Sequence, residues 1–285
     1  MTETGLVVGA AVTLSDLEDA CNGVIASHPT TKTRVLKQVV DMLKWFAGKQ
    51  IRNVAAVGGN VMTGSPISDL NPIFMAAGCD LCVAASGSNG LELRSVKMDQ
   101  NFFTGYRRNV LRPEEVLVSL TLPFTSENEY FFAYKQARRR EDDIAIVNGA
   151  FRFVLGPAGE VEDVSMAFGG MAPVTAMPLK TMELMRGQRW DKALIERAMD
   201  QLLADLPLPP GVPGAMVRYR SALTLSLLFK AFLAASSESG LTTSGWLSDQ
   251  RFCMIRPQVF AGCREPRGCC SARLQINAIW APSPY

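Results

Sequence analysis

Val54-Ala55-Ala56-Val57-Gly58-Gly59-Asn60 reads as a short buried strand that runs directly into a glycine turn. Two adjacent glycines after a strand let backbone N–H groups approach an anion that side chains would hold away, so a phosphate or pyrophosphate is the natural guest. An ordinary tight turn is the plain alternative. The stretch is not a Walker loop, because no Gly-Lys-Ser/Thr follows, and it lacks the G-x-G-x-x-G spacing of a dinucleotide fold. Thr63, Ser65, Ser68 and Asp69 crowd the next ten residues and offer hydroxyls and a carboxylate to a polyhydroxylated chain such as ribitol or ribose. Upstream, residues 33–50 place Val35, Val39, Leu43 and Phe46 at helical spacing, with Gly48 where that helix should stop. Downstream, Asn71-Pro72 opens a short helix that ends at Gly78.

Beyond Gly78 the pattern turns to strands, expected over 80–85, 91–96, 116–122, 130–137, 144–155 and 161–168. After Gly169-Gly170 it becomes helical, over 179–186, 190–205 and, past a proline-rich connector, 215–235. An antiparallel run of strands followed by helices predicts an α+β fold. Between two of the strands lies Lys135-Gln136-Ala137-Arg138-Arg139-Arg140-Glu141-Asp142-Asp143, which sets four cations beside three carboxylates. Such a run can bias the potential over a redox ring, or form a solvated loop whose charges cancel. Trp45 and Phe46 are open in the same way, between core packing and a cofactor contact.

Composition removes several classes. With 29 Lys+Arg against 27 Asp+Glu over 285 residues, the net charge of +2 provides no broad field for nucleic acid or an anionic membrane. The longest apolar stretch, 222–235, is shorter than a membrane span and carries Lys230, and the start of the sequence lacks a signal-peptide pattern, so a cytoplasmic protein is expected. The single histidine, His28, removes Ser-His-Asp and Cys-His chemistry and multi-imidazole zinc sites. Seven cysteines fit reduced thiols; Cys79-x-x-Cys82 has no second pair and reads as packed core, so no metal site is expected. Residues 241–285 carry five arginines, no lysine and four of the cysteines without periodicity, as expected of a poorly ordered extension.

Taken in order, Trp45-Phe46-Ala47-Gly48-Lys49-Gln50, the 54–60 stretch, Ser65-Pro66-Ile67-Ser68-Asp69-Leu70-Asn71-Pro72, Arg139-Arg140-Glu141-Asp142-Asp143-Ile144-Ala145, Gly169-Gly170-Met171-Ala172 and Leu223-Thr224-Leu225-Ser226 form a collinear set. This set resembles the FAD-binding domain of the molybdenum hydroxylase family, on its xanthine dehydrogenase side rather than its aldehyde oxidase side. The resemblance implies a PCMH-like α+β domain: a second lobe with antiparallel sheet and helices over 1–170, a helical subdomain over 171–240, and an unmatched tail over 241–285. It also implies the cofactor FAD, with Gly58, Gly59 and Asn60 at the pyrophosphate and Thr63, Ser65 and Asp69 along the cofactor chain. Phe46 would be an aromatic flavin contact, Leu117 an apolar one and Lys135 a polar one near the ring. Asp142 would lie in the flavin-side loop that helps choose between NAD and dioxygen.

No catalytic residue is expected in this piece itself. In a full-length enzyme the resemblance implies oxidation of hypoxanthine to xanthine to urate at a molybdopterin centre. Electrons would pass through two 2Fe-2S clusters to FAD, with NAD and full-length xanthine dehydrogenase subunits as further partners. The strand and Val-Gly-Asn-Thr-like loop expected on the other side of the pyrophosphate is absent, so the expectation is a truncated product with a weakened FAD site, with a non-catalytic isoform or an aldehyde-oxidase-like flavin domain as the alternatives. An alternative exon or read-through would explain the tail.

Overall fold

A computed structural model describes residues 1–241 apart from Ser88, Asn89, Arg140 and Glu141. Strand β1 (Gly5–Gly9) leads into helix α1 (Leu14–Ser27), whose Thr13 hydroxyl caps the N–H of Asp16. Helix α2 (Arg34–Leu43) buries Val35, Val39 and Leu43 as the spacing predicts but stops short of residue 50. Ala47 takes a positive φ of 41°, and Gly48 caps the start of α3 (Lys49–Arg52) instead of ending α2. Arg52 holds this corner by donating from Nη1 to the carbonyls of Phe46 (2.8 Å) and Ala47 (2.6 Å).

The expected strand at 54–57 is not there. Val54 is 77% exposed, Ala56 forms a lone bridge with Thr13, and α4 (Val57–Thr63) begins at Val57, so both glycines lie inside a helix. The reason is tertiary: the N–H groups of Val57 and Gly58 are taken by the carbonyls of Val12 and Ala10, which docks this segment on the β1–α1 connection. Helix α5 (Asn71–Ala77) has Pro72 in its first turn and ends at Gly78 with φ of 65°, as expected.

The strands divide into two antiparallel sheets. Strands β2 (Asp80–Gly87), β3 (Gly90–Lys97) and β4 (Val116–Pro123) join β1 in the order β1-β4-β2-β3, and β5 (Glu129–Ala137), β6 (Ala145–Leu155) and β7 (Val161–Gly169) follow in sequence order. Helices α6 (Leu179–Met185), α7 (Lys192–Asp205) and α8 (Val217–Ser239) complete the described chain.

The second sheet is covered on both faces. Phe131, Ala150 and Ala167 join the core built on α2 and α5, whereas Phe153 meets Trp190, which stacks on Phe232 of α8 at 4.4 Å. Each buried Phe contributes on the order of 1.5–3 kcal/mol. The helices after residue 170 pack against β5–β7 and against one another on that face. Cys21, Cys79 and Cys82 are free thiols, and burial raises Cys21 to about 12. Among the described residues no three His, Cys, Asp or Glu side chains gather as a metal site, and no helix is long and apolar enough to cross a membrane. The tail expectation lies outside the described residues.

Candidate functional site

Lys135 is the pivot of the site. It lies on β5, and its Nζ donates to Asp69 Oδ2 at 2.6 Å and to the Trp45 carbonyl at 2.9 Å. Its side chain is 5% exposed and that of Asp69 10%, so the cation belongs to the interior and not to a solvated charge run. Burial pushes the Asp69 carboxyl above its usual range, and the Lys135 charge and the Asn148 amide offset only part of that effect. One residue before Asp69, the Ser68 hydroxyl donates to Asn60 Oδ1 (3.0 Å) and accepts the Asn71 N–H (3.3 Å). A continuous chain of polar contacts thus ties the end of α2, helix α4, the 65–69 turn and β5 together.

The two glycines of α4 differ. A Cβ on Gly58 would stand 2.8 Å from Ala10 Cβ and 2.9 Å from Ala10 O, so Gly58 serves close packing, and its N–H is already used. Gly59 is exposed, a Cβ there would meet nothing within 4 Å, and its N–H makes no bond among the described residues. The Thr63 hydroxyl donates back to the Gly59 carbonyl at 2.7 Å, and Ser65 Oγ accepts the Ile67 N–H at 3.4 Å.

Most of the residues expected from the sequence come together. Phe46, half-buried, adjoins the Trp45 carbonyl that Lys135 holds; Gly58, Gly59, Asn60, Thr63, Ser65 and Asp69 lie on α4 and the turn after it. Leu117 is buried on β4, which packs on α4; the carbonyl of its neighbour Val118 accepts the Ala10 N–H, and the Ala10 carbonyl accepts from Gly58. Asp142 stands apart: it is exposed, has φ of 53° and bonds to none of the others. Its neighbour Asp143 organises that loop by accepting the N–H groups of Arg139 (2.8 Å) and Ile144 (3.0 Å), which hold its carboxyl below the usual range.

Asn148 is a participant that motif reasoning passes over. It is fully buried on β6 and donates from Nδ2 to the Ser68 carbonyl at 2.9 Å. The available signal is an asparagine inside the apolar stretch of β6, where a buried amide costs free energy unless it is bonded. Asp69 Oδ1, Asn148 Oδ1 and the side-chain amide of Asn71 are buried without a hydrogen-bond partner. An anionic, hydroxyl-bearing ligand such as FAD fits these groups: an open N–H at Gly59 as donor, hydroxyls at Thr63 and Ser65, and the Asp69 carboxylate as acceptor.

Fold and site together define a two-sheet α+β flavoprotein domain. Residues 1–125 match the FAD binding domain in molybdopterin dehydrogenase, and residues 132–235 match the CO dehydrogenase flavoprotein C-terminal domain. The chain belongs to the FAD-binding flavoprotein domains of the molybdenum hydroxylase family. Xanthine dehydrogenase of Calliphora vicina is 47% identical over 237 residues, which is 83% of this chain and 18% of that protein. Xanthine dehydrogenase/oxidase of Gallus gallus is 47% identical over 233 residues, 81% of this chain and 17% of that protein. The chain spans under a fifth of the length of these relatives and corresponds to the FAD-binding region of a xanthine-dehydrogenase-like molybdenum hydroxylase.

Carbon monoxide dehydrogenase from Hydrogenophaga pseudoflava superposes with a TM-score of 0.69 at 22% identity, over 84% of this chain and 77% of that one. Quinoline 2-oxidoreductase from Pseudomonas putida 86 gives 0.67 at 19% identity, over 83% and 76%. At these identities the agreement concerns the fold, and the PCMH-like α+β architecture expected from the sequence is the one found.

Proposed function

We propose that helix α4, the 65–69 turn and the Lys135–Asp69 pair hold FAD, and that within a longer polypeptide this region hands electrons from purine oxidation to NAD or dioxygen. FAD, when bound, supplies two-electron acceptance and hydride transfer. Gly59 presents its free N–H to the pyrophosphate, and the open space where its side chain is missing lets that group approach. Thr63, Ser65 and Asp69 meet the hydroxyls of the cofactor chain, with Asn60 holding the turn through Ser68. Phe46 and Leu117 supply apolar contacts, and the loop of Asp142 tunes the choice of acceptor. Molybdopterin and the two 2Fe-2S clusters belong to other parts of the longer polypeptide, whose full-length subunits are the proposed partners. Reduced thiols at Cys21, Cys79 and Cys82 agree with a cytoplasmic setting.

One observation carries this reading: Lys135 and Asp69 form a buried ion pair bonded to the carbonyl beside Phe46. A buried pair is a costly way to stabilise a core, and its position gives it a use. The test is visible absorbance of the purified full chain after incubation with FAD and removal of free cofactor. Retained flavin in the wild type, lost in Asp69→Ala and Lys135→Ala, is the expected result. A colourless wild-type protein would refute cofactor binding by this chain and leave a non-catalytic module of the same family.

A further inference from the structure

Lys135, Asn148 and Gly169 are direct cross-strand partners in β5, β6 and β7, so they form one row across the second sheet. The row meets the turn before α5 in steps. Lys135 reaches Asp69, Asn148 reaches the Ser68 carbonyl, and Gly169 presents no side chain. A Cβ at Gly169 would collide with Asn148 Oδ1 and stand 3.1 Å from the Pro66 carbonyl. The next residue, Gly170, has φ of 83°, donates its N–H to that same Pro66 carbonyl at 2.8 Å, and is itself held through its carbonyl by Arg220 of α8. Three neighbouring strands thus each fix one part of the 65–69 turn. Asn148 has no solvent-accessible surface, so its effect on any ligand must pass through Ser68 and Asp69.

We infer that Asn148, in the space that Gly169 leaves for it, is a positioning residue of the cofactor site: it sets the Ser68–Asp69 segment against FAD without touching FAD. This rests on the functional reading above. Asparagine is a poor strand former, and its side-chain oxygen is left unbonded here, so the residue is a cost to β6 that the turn repays. The geometry makes the two residues one unit. Gly169→Ala displaces the amide, and once the amide is gone the added methyl has little left to strike.

The experiment is a double-mutant cycle in the full chain with Asn148→Ala, Gly169→Ala and the pair, read as FAD dissociation constants from flavin fluorescence well below the melting temperature of every variant. Loss of one buried hydrogen bond predicts about tenfold weaker FAD in each single variant. The pair should fall within about twofold of Asn148→Ala, and all three should share one altered flavin visible band. Folded variants that bind FAD like the wild type would reduce Asn148 to a structural role, and losses that multiply would show two independent sites; either overturns the inference. A wild type that takes up no FAD removes the functional reading itself and with it the cofactor role. The same cycle in urea midpoints would then decide the clamp separately, with non-additive shifts keeping it and additive shifts refuting it.

Discussion

Replacing Lys135 by methionine leaves Asp69 buried without its counter-charge, while the methionine fills most of the same volume. The pair is 2.6 Å apart with both side chains nearly inaccessible, so removing one partner should cost about 3–5 kcal/mol at neutral pH. For a domain of this size that corresponds to a fall of about 6–20 °C in melting temperature. The sign of the pH dependence follows from Asp69. Its carboxyl is already raised by burial, and without Lys135 it rises further. A carboxyl raised in the folded state favours folding when protonated, so its contribution is present at low pH and is lost as pH rises through the folded value. The deficit of Lys135→Met should therefore be smaller at pH 5 than at pH 8. Adding Asp69→Leu should recover much of the stability at pH 8, because no buried charge remains, yet FAD should not return. Urea denaturation of the three variants at both pH values measures this. A loss under about 1 kcal/mol at pH 8, or the same loss at both pH values, would refute the claim that the pair is buried and mutually dependent.

The two glycines of α4 should part company. Gly58→Ala drives a methyl into the Ala10 backbone and should destabilise by about 1–3 kcal/mol, whereas Gly59→Ala should stabilise the helix by up to about 1 kcal/mol while weakening flavin retention. Denaturation midpoints alongside bound-flavin absorbance check both, and equal effects at the two positions would refute the distinction. Glu115 receives two bonds from the Arg94 guanidinium and the N–H of Arg112, which hold it at about 2. The stability it contributes is present above its unfolded value and lost as pH falls toward 2, so the gap in urea midpoint between wild type and Glu115→Gln should close between pH 5 and pH 2. A constant gap refutes that linkage. Arg220→Met strips charged donors from the carbonyls of Gly170, Pro213 and Ala215 and should cost about 3 kcal/mol, read by thermal melting.

Much of this domain is legible in its sequence, and for local reasons. The apolar runs and turn residues that announce β5, β6 and β7, the proline of α5 and the glycine that ends it, and the stripe of α2 are properties of neighbouring residues. Helix α1 is equally legible: Thr13 caps it, and Leu14, Leu17, Cys21 and Val24 are its buried face. The collinear motifs put most of the candidate residues close to one another in the fold, because α4 and the turn after it follow one another in the chain.

What local pattern could not contain was decided by contacts between distant segments. The carbonyls of Ala10 and Val12 turn an apparent strand and glycine loop into the first turn of a helix, and leave only Gly59 open of the two glycines. A long-range bond to Trp45 and an ion pair to Asp69 take Lys135 out of a solvated charge run and into the interior. The row of Lys135, Asn148 and Gly169 exists only once three strands are in register. Periodicity and turn chemistry act over a few residues and survive in the sequence. The burial of a charge, or the use of a backbone N–H, depends on which remote atom arrives beside it, and only the folded chain supplies that atom.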